Sequence, residues 1–153
     1  MRTTTEAFSE FVREVEPRLL QALIASTGRE VGREATADAL VYAWKHWDRV
    51  SVMDNAAGYL YRVGRSCAKK YHNREVALPV ETSNLEPWIE PGLREAFHGL
   101  SERQRSAVLL VEGFDWRYQE VAEFMGLSRS SVQRHVERGM TKLRVALEVQ
   151  NVA

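Results

Sequence analysis

Apolar residues return every three or four positions along almost the whole chain, and no stretch alternates as a half-buried strand does. That rhythm predicts an all-helical fold. From Glu6 to about Thr27, Phe8, Phe11, Val15, Leu19, Leu20, Leu23 and Ile24 share one broad face. Pro17 lies inside this helix, where a kink or break is expected, and Gly28 is its stop. A second helix is predicted from Arg33 to Trp47, with Leu40, Val41, Trp44 and Trp47 at core spacing and Trp44 mostly buried. After a loop from Asp48 to Asn55, a third helix carries Leu60, Val63 and Cys67 inward and ends near Asn73.

The rhythm stops after residue 75. Pro79, Pro87, Pro91 and Gly92 rule out a long helix there. Glu81, Glu86 and Glu90 make the segment acidic, with no basic residue between Glu75 and Arg94. The expected organisation is two small helical domains, an N-terminal bundle (1–75) and a C-terminal domain (97–153), joined by an acidic flexible linker (76–96). Domains this small bury only about 60% of their unfolded surface. Packing against each other or against a partner is therefore expected.

Three further helices are predicted between Leu100 and Leu147, the last two separated by the tight turn Met125-Gly126-Leu127-Ser128. Ser101 can cap the first and Asp115 the second, which buries Val121, Ala122 and Met125. Gly126 supplies a left-handed residue, and Ser128 caps the third. Val132, Val136, Leu143 and Leu147 form that helix's inward stripe. This is the pattern of a helix-turn-helix, which lays its second helix in the major groove of DNA. Arg129, Ser130, Ser131, Gln133 and Arg134 occupy the first turns of that helix, where base edges are read. Arg138, Lys142 and Arg144 follow and suit phosphates. Leu127 to Leu147 holds five basic residues and one acid, a local charge of +4.

The third helix of the N-terminal domain is also basic. Arg62, Arg65, Lys69, Lys70 and Arg74 have no acid among them, and Tyr59, Tyr61 and Tyr71 are interleaved. Rings that stack bases beside cations that hold a backbone suit an unpaired nucleic-acid strand. The same pattern also fits cations that merely keep a surface soluble, with Tyr59 and Tyr61 partly in the core. On the second helix, Glu34, Asp38, Tyr42 and Lys45 surround a spine ending in Trp44 and Trp47. Aromatics beside charge favour a protein interface.

Composition narrows the functional classes. The 153 residues are 44% hydrophobic and 27% charged, with a net charge of zero, so attraction to DNA must come from local patches. A lone cysteine, Cys67, excludes an internal disulfide framework and a multi-cysteine zinc site. His46, His72, His98 and His135 show no ligand spacing. There is no glycine-rich phosphate loop and no nucleophile–base pair at a recognisable spacing. The reading is a non-enzyme with no cofactor. No apolar run approaches the roughly 20 residues of a membrane span, and the first residues lack the apolar core of a signal peptide. A cytoplasmic location without membrane insertion is expected.

Taken in order, these stretches resemble the sigma-70 family of bacterial RNA polymerase sigma factors, in its short extracytoplasmic-function class. The family's second conserved region is matched by Val15-Glu16-Pro17-Arg18-Leu19-Leu20, Ala43-Trp44-Lys45-His46-Trp47 and Tyr59-Leu60-Tyr61-Arg62-Val63-Gly64-Arg65. Its fourth region is matched by Leu100-Ser101-Glu102-Arg103-Gln104-Arg105, Glu120-Val121-Ala122-Glu123 and Gly126-Leu127-Ser128, then Val132, Arg138, Leu143 and Arg144. The resemblance implies a promoter-specificity subunit of core RNA polymerase. Region two would dock on the β′ clamp helices through Glu34, Asp38, Trp44 and Trp47. It would meet the unpaired −10 strand through the loop from Arg49 to Asn55 and then Tyr59, Arg62, Arg65, Ser66 and Lys69. Region four would sit on the β flap and read the −35 duplex through Arg129, Ser130, Ser131, Gln133, Arg134 and Arg138. An anti-sigma factor is a further partner that the resemblance suggests. The chain departs from the family pattern at Ala37, which replaces an amide side chain, and at Asp115, where glycine is usual. Arg117 replaces a capping serine, and Lys69 and Lys70 replace an apolar residue and an acid. Two other readings fit the residues: a stand-alone dimeric helix-turn-helix regulator, and a sigma-like decoy that binds an anti-sigma protein.

Overall fold

A computed structural model describes residues 1–72 and 91–151. These residues are helical, without strands. The predicted tether lies outside them as far as residue 90.

Helix α1 (Thr4–Thr27) opens on a reciprocal cap. Thr3 accepts from the Glu6 backbone N–H at 3.1 Å, and Glu6 accepts from the Thr3 N–H at 3.1 Å. The helix runs unbroken through Pro17, whose side is exposed. Leu19, Ala22 and Leu23 are fully buried just beyond it, so packing holds the helix across the missing hydrogen bond. Gly28, at φ 95°, ends α1 through its N–H to the Ile24 carbonyl at 2.9 Å. Helix α2 (Arg29–Lys45) starts at once, four residues earlier than the apolar rhythm suggests. A Cβ on Gly32 would sit 2.7 Å from the Ile24 nitrogen, so the bare glycine lets the two helices meet tightly at the turn.

The face α2 turns inward corrects the sequence reading. Val31, Ala35, Thr36, Ala39 and Ala43 are buried, whereas Val41 is 53% and Trp44 47% exposed. The inward stripe is small because α2 packs closely on both α1 and α4. Trp47 is half-buried in a short helix, α3 (Trp47–Val50), within the predicted loop. Helix α4 (Ala56–His72) buries Leu60, Gly64 and Ala68 at four-residue spacing. A Cβ on Gly64 would lie 2.6 Å from the buried Leu23 side chain, which fixes how closely α1 and α4 approach.

Helix α5 (Pro91–His98) occupies residues 91–96, which the sequence reading gave to the tether. Proline at a helix start loses nothing, because the first N–H groups have no partner within the helix. Ala96 and Leu100 pack with Val108 and Leu143 in a small cluster of their own. Helix α6 (Glu102–Val108) carries the expected Ser101 cap, reciprocated by Gln104. It passes into a π-helical turn (Leu109–Gly113) before α7 (Tyr118–Met125) and α8 (Arg129–Asn151). Asp115 does not cap α7. It adopts φ +59°, and Glu120 instead reaches back to the Arg117 N–H at 3.1 Å. Met125 is only half-buried, and Phe124 takes the inward place.

One apolar core runs through both halves. Leu19, Leu23, Leu60 and Tyr61 belong to the same buried cluster as Leu110, Trp116, Val121, Phe124 and Val132. The two domains therefore pack against each other, one of the two options their small size leaves open.

Helix α6 crosses α8 at Gly139, where a Cβ would meet the Val108 side chain at 2.6 Å. Val108 is 2% exposed and its branched side chain cannot swing aside. Overpacking costs about 1–3 kcal/mol, against a helix-propensity gain of up to about 1 kcal/mol. Gly139→Ala is expected to lower stability by roughly 1 kcal/mol, seen as a lower urea midpoint at unchanged slope. A raised midpoint would show that α6 moves away freely.

Candidate nucleic-acid interface

The turn between α7 and α8 has the chemistry that the sequence predicts. Gly126 is left-handed at φ 68° and ψ 36°, and its N–H closes α7 on the Ala122 carbonyl. Ser128 Oγ accepts from the Ser131 N–H at 3.1 Å and lies 2.9 Å from Ser131 Oγ. The cap therefore occupies both Ser128 and Ser131. Val132 and Val136 are buried and Leu143 is 5% exposed, so the inward stripe holds α8 against α6 and α7. Leu147, at its end, is half-buried.

The opposite face of α8 is open. Arg129, Ser130, Gln133, Arg134 and Arg138 are exposed. Gln133 donates to Glu137 at 3.2 Å, one turn along. Lys142 is also exposed, but its Nζ donates to Gln104 Oε1 at 3.0 Å and so braces the α6 cap. His135 is half-buried. Burial, then the charges of Arg103, Arg138 and Arg134, push its imidazole below the usual range, which favours the neutral ring.

The second candidate face lies on α4 and the turn before it. Arg49 Nη2 donates to the Tyr42 hydroxyl at 2.6 Å and to the Tyr59 hydroxyl at 3.3 Å, and the two hydroxyls are 3.0 Å apart. Tyr59 is half-buried, whereas Arg62, Ser66 and Lys69 are exposed. Tyr61 is 1% exposed and belongs to the core, edge-on to Phe124 with ring centroids 6.1 Å apart. Asn55 caps α4 through its side-chain oxygen to the Gly58 N–H at 3.0 Å, and its amide donates to the Glu123 carbonyl at 3.1 Å. Arg65 pairs with Glu102. Two residues expected to meet a strand, Asn55 and Arg65, are thus engaged by the C-terminal domain.

The residues expected to dock on polymerase are split. Glu34 is exposed. Asp38 is half-buried and accepts from the Tyr71 hydroxyl at 2.5 Å, a bond that pushes the tyrosine up to about 12. Trp44 and Trp47 stand with Phe8 in edge-on pairs at 4.9 and 5.3 Å, leaving an aromatic surface on which Val41 is also exposed.

A group of residues that the sequence reading does not bring together joins α1 to α7. Arg18 pairs with Glu120 and lies 4.9 Å over the Trp116 ring, whose indole N–H donates to Gln21 Oε1 at 2.9 Å. The Arg117 backbone N–H, with Arg18, holds the Glu120 carboxyl below the usual range. These partners are about a hundred residues apart, beyond the reach of any local periodicity. Among the described residues, no cluster of His, Cys, Asp and Glu is placed to hold a metal. No helix among them is long and apolar enough to cross a membrane.

Residues 92–143 match the protein family described as sigma-70, region 4. A search of the curated proteins finds no significant match. Among solved structures, the chain is similar to the sigma factor RpoE of Bartonella quintana, crystallised in complex with the anti-sigma factor NepR. The identity is 20% and the TM-score 0.62, over 93% of this chain and 97% of that one. That likeness extends the shared helical fold to nearly the whole chain.

Removing the cap at the start of α8 tests the geometry of the turn. Ser128→Ala is expected to lower stability by about 1 kcal/mol, with Ser128→Thr restoring most of it. Hydrogen exchange at the Ser131 amide reads the local effect. An unchanged rate in Ser128→Ala would show that the hydroxyl does not hold this end of the helix.

Proposed function

We infer that this chain is a sigma factor of the sigma-70 type, in the extracytoplasmic-function group: a promoter-specificity subunit that directs RNA polymerase to its start sites. The observation that carries this reading is the region 4 match over a helix-turn-helix with a left-handed Gly126, a Ser128 cap and an open basic face on α8. Such a face reads duplex DNA and has no evident enzymatic use.

In this reading Arg129, Ser130, Ser131, Gln133, Arg134 and Arg138 meet the −35 duplex. Arginine pairs guanine and glutamine pairs adenine in the major groove. Lys142 and Arg138 position the helix on phosphates. The unpaired −10 strand lies along Arg49, Asn55, Tyr59, Arg62, Arg65, Ser66 and Lys69, with ring stacking from tyrosine and charge from the cations. Glu34, Asp38, Trp44 and Trp47 dock on the β′ clamp helices, while the C-terminal domain sits on the β flap. The exposed Trp44 suits such a contact, since tryptophan is enriched in interface hot spots. The acidic linker tethers two readers, which makes the second DNA contact intramolecular. The similar sigma factor forms a complex with an anti-sigma protein, and we propose an antagonist of that kind here. The site of action is the cytoplasm.

The test is transcription reconstituted with purified core polymerase from the same organism on a promoter library. Selected templates are expected to share −10 and −35 elements and to depend on the added chain. Arg134→Ala is expected to lose about 1–3 kcal/mol of discrimination at one −35 base pair, with little change on templates already mismatched there. A dimer that ignores polymerase and binds a palindrome with half-sites about 34 Å apart would overturn the reading in favour of a stand-alone regulator. A chain that cannot support transcription but captures an anti-sigma protein would be a decoy.

A further inference from the structure

Tyr42 of α2 joins three elements through one ring and one hydroxyl. Its ring lies against His46 with centroids 4.3 Å apart, and its hydroxyl is 3.0 Å from that of Tyr59 on α4. Arg49 of α3 bridges the two hydroxyls through Nη2, at 2.6 Å to Tyr42 and 3.3 Å to Tyr59. We propose that Tyr42 is a positioning residue: its hydroxyl holds the Arg49 guanidinium and the Tyr59 phenol in one fixed arrangement, ready for the phosphate and base of an unpaired strand, without itself touching the DNA. The proposal rests on the promoter-strand reading of Arg49 and Tyr59 given above.

The shorter bond of Arg49 falls on Tyr42, so that hydroxyl does most of the holding. Val50, the next residue, is 1% exposed and fixes the same turn to the core. Arg49 itself is exposed. Its Nε and Nη1 still carry N–H groups, and its side chain makes no other hydrogen bond among the described residues. That edge suits a two-pronged grip on a phosphate. One phenol of the pair donates to the other, and Arg49 fills an acceptor place on each, which leaves one phenol hydrogen for a base oxygen. The bond to Tyr59, then burial, pushes the Tyr42 hydroxyl above the usual tyrosine range, so it stays a phenol at neutral pH. An unanchored arginine on an exposed turn loses rotamer freedom when it grips a strand, whereas an anchored one has lost it on folding.

Tyr42→Phe removes the hydroxyl and keeps the ring against His46. The order of the Arg49 guanidinium is read from Nε–Hε relaxation in the isotope-labelled full chain. Binding is read with holoenzyme, reconstituted with core polymerase from the same organism, on a promoter fragment whose −10 segment is held open by mismatches. Tyr42→Phe is expected to free the Arg49 side chain and to weaken binding of the open fragment roughly fivefold, with the salt slope unchanged. Arg49→Ala is expected to lower that slope by about 0.7, the share of one strand phosphate. On top of Arg49→Ala, Tyr42→Phe is expected to weaken binding by less than about twofold, because it acts through the arginine. A loss of equal size in both backgrounds marks a merely structural role and overturns the proposal. So does an Arg49 whose order survives Tyr42→Phe, or a Tyr42→Phe holoenzyme that binds as tightly as the unaltered one. A holoenzyme that binds no open fragment even with the unaltered chain overturns the strand reading, and with it the use of the anchor, while relaxation still reports whether the anchor exists.

Discussion

The placement of one indole ring governs how the two halves of this chain meet. Trp116 is 5% exposed, with its ring 4.8 Å from Phe124, Arg18 over its face and its N–H on Gln21. Tryptophan suits that place because it combines a large apolar body with one polar handle. The backbone bends irregularly to deliver it. After the π-helical turn, the Trp116 N–H bonds the Leu110 carbonyl at 2.9 Å, and Asp115 adopts a positive φ just before it. Aspartate tolerates that region better than most residues. Such local strain persists where surrounding contacts over-determine it, and here Phe124, Arg18 and Gln21 provide them.

The seam differs in kind from the packing inside each half. Within the N-terminal bundle the contacts are apolar and close: Leu19, Leu23 and Leu60 against the alanines of α2, with Gly32 and Gly64 allowing the approach. Across the seam, Tyr61 meets Phe124 edge-on beside Trp116, and the ion pairs of Arg18 with Glu120 and Arg65 with Glu102 flank that contact. Interfaces between domains commonly have this mixed character, and relative motion is their default.

Signals confined to a few neighbouring residues were legible in the sequence. The Ser101 cap, the left-handed Gly126 and the Ser128 cap each depend on residues within a turn, and each stands as predicted. The inward face of α2 was not legible, because bulk drew the reading to Val41 and Trp44, whereas close packing selects small side chains. Pro91 and Gly92 pointed to a loop, yet proline at a helix start breaks nothing. Asp115 looked like a cap for the same reason that it suits a positive φ: a short polar side chain serves both. The order of motifs carried the resemblance to a region 4 domain that residues 92–143 match, but the residues of the seam lie too far apart in sequence for any periodic pattern to join them.

Three adjoining rows on the surface of helix α4 couple the seam to the proposed reading of DNA. Leu60, Gly64 and Ala68 form the core row. Tyr61 and Arg65, one turn apart and stacked at 5.8 Å, form the row that meets the C-terminal domain. Arg62, Ser66 and Lys69 form the exposed row, with the Arg62 guanidinium reaching Gly126 at its edge. Rows on a helix are neighbours by geometry, since residues three and four apart lie side by side. A domain seated on the second row therefore borders the third, and a strand lying along the third must contend with it. The other sides of α4 are taken up within the N-terminal bundle, by the core row against α1 and α2 and by Tyr71 on Asp38. The number of residues per helical turn thus leaves this helix little room to keep closure and strand binding independent.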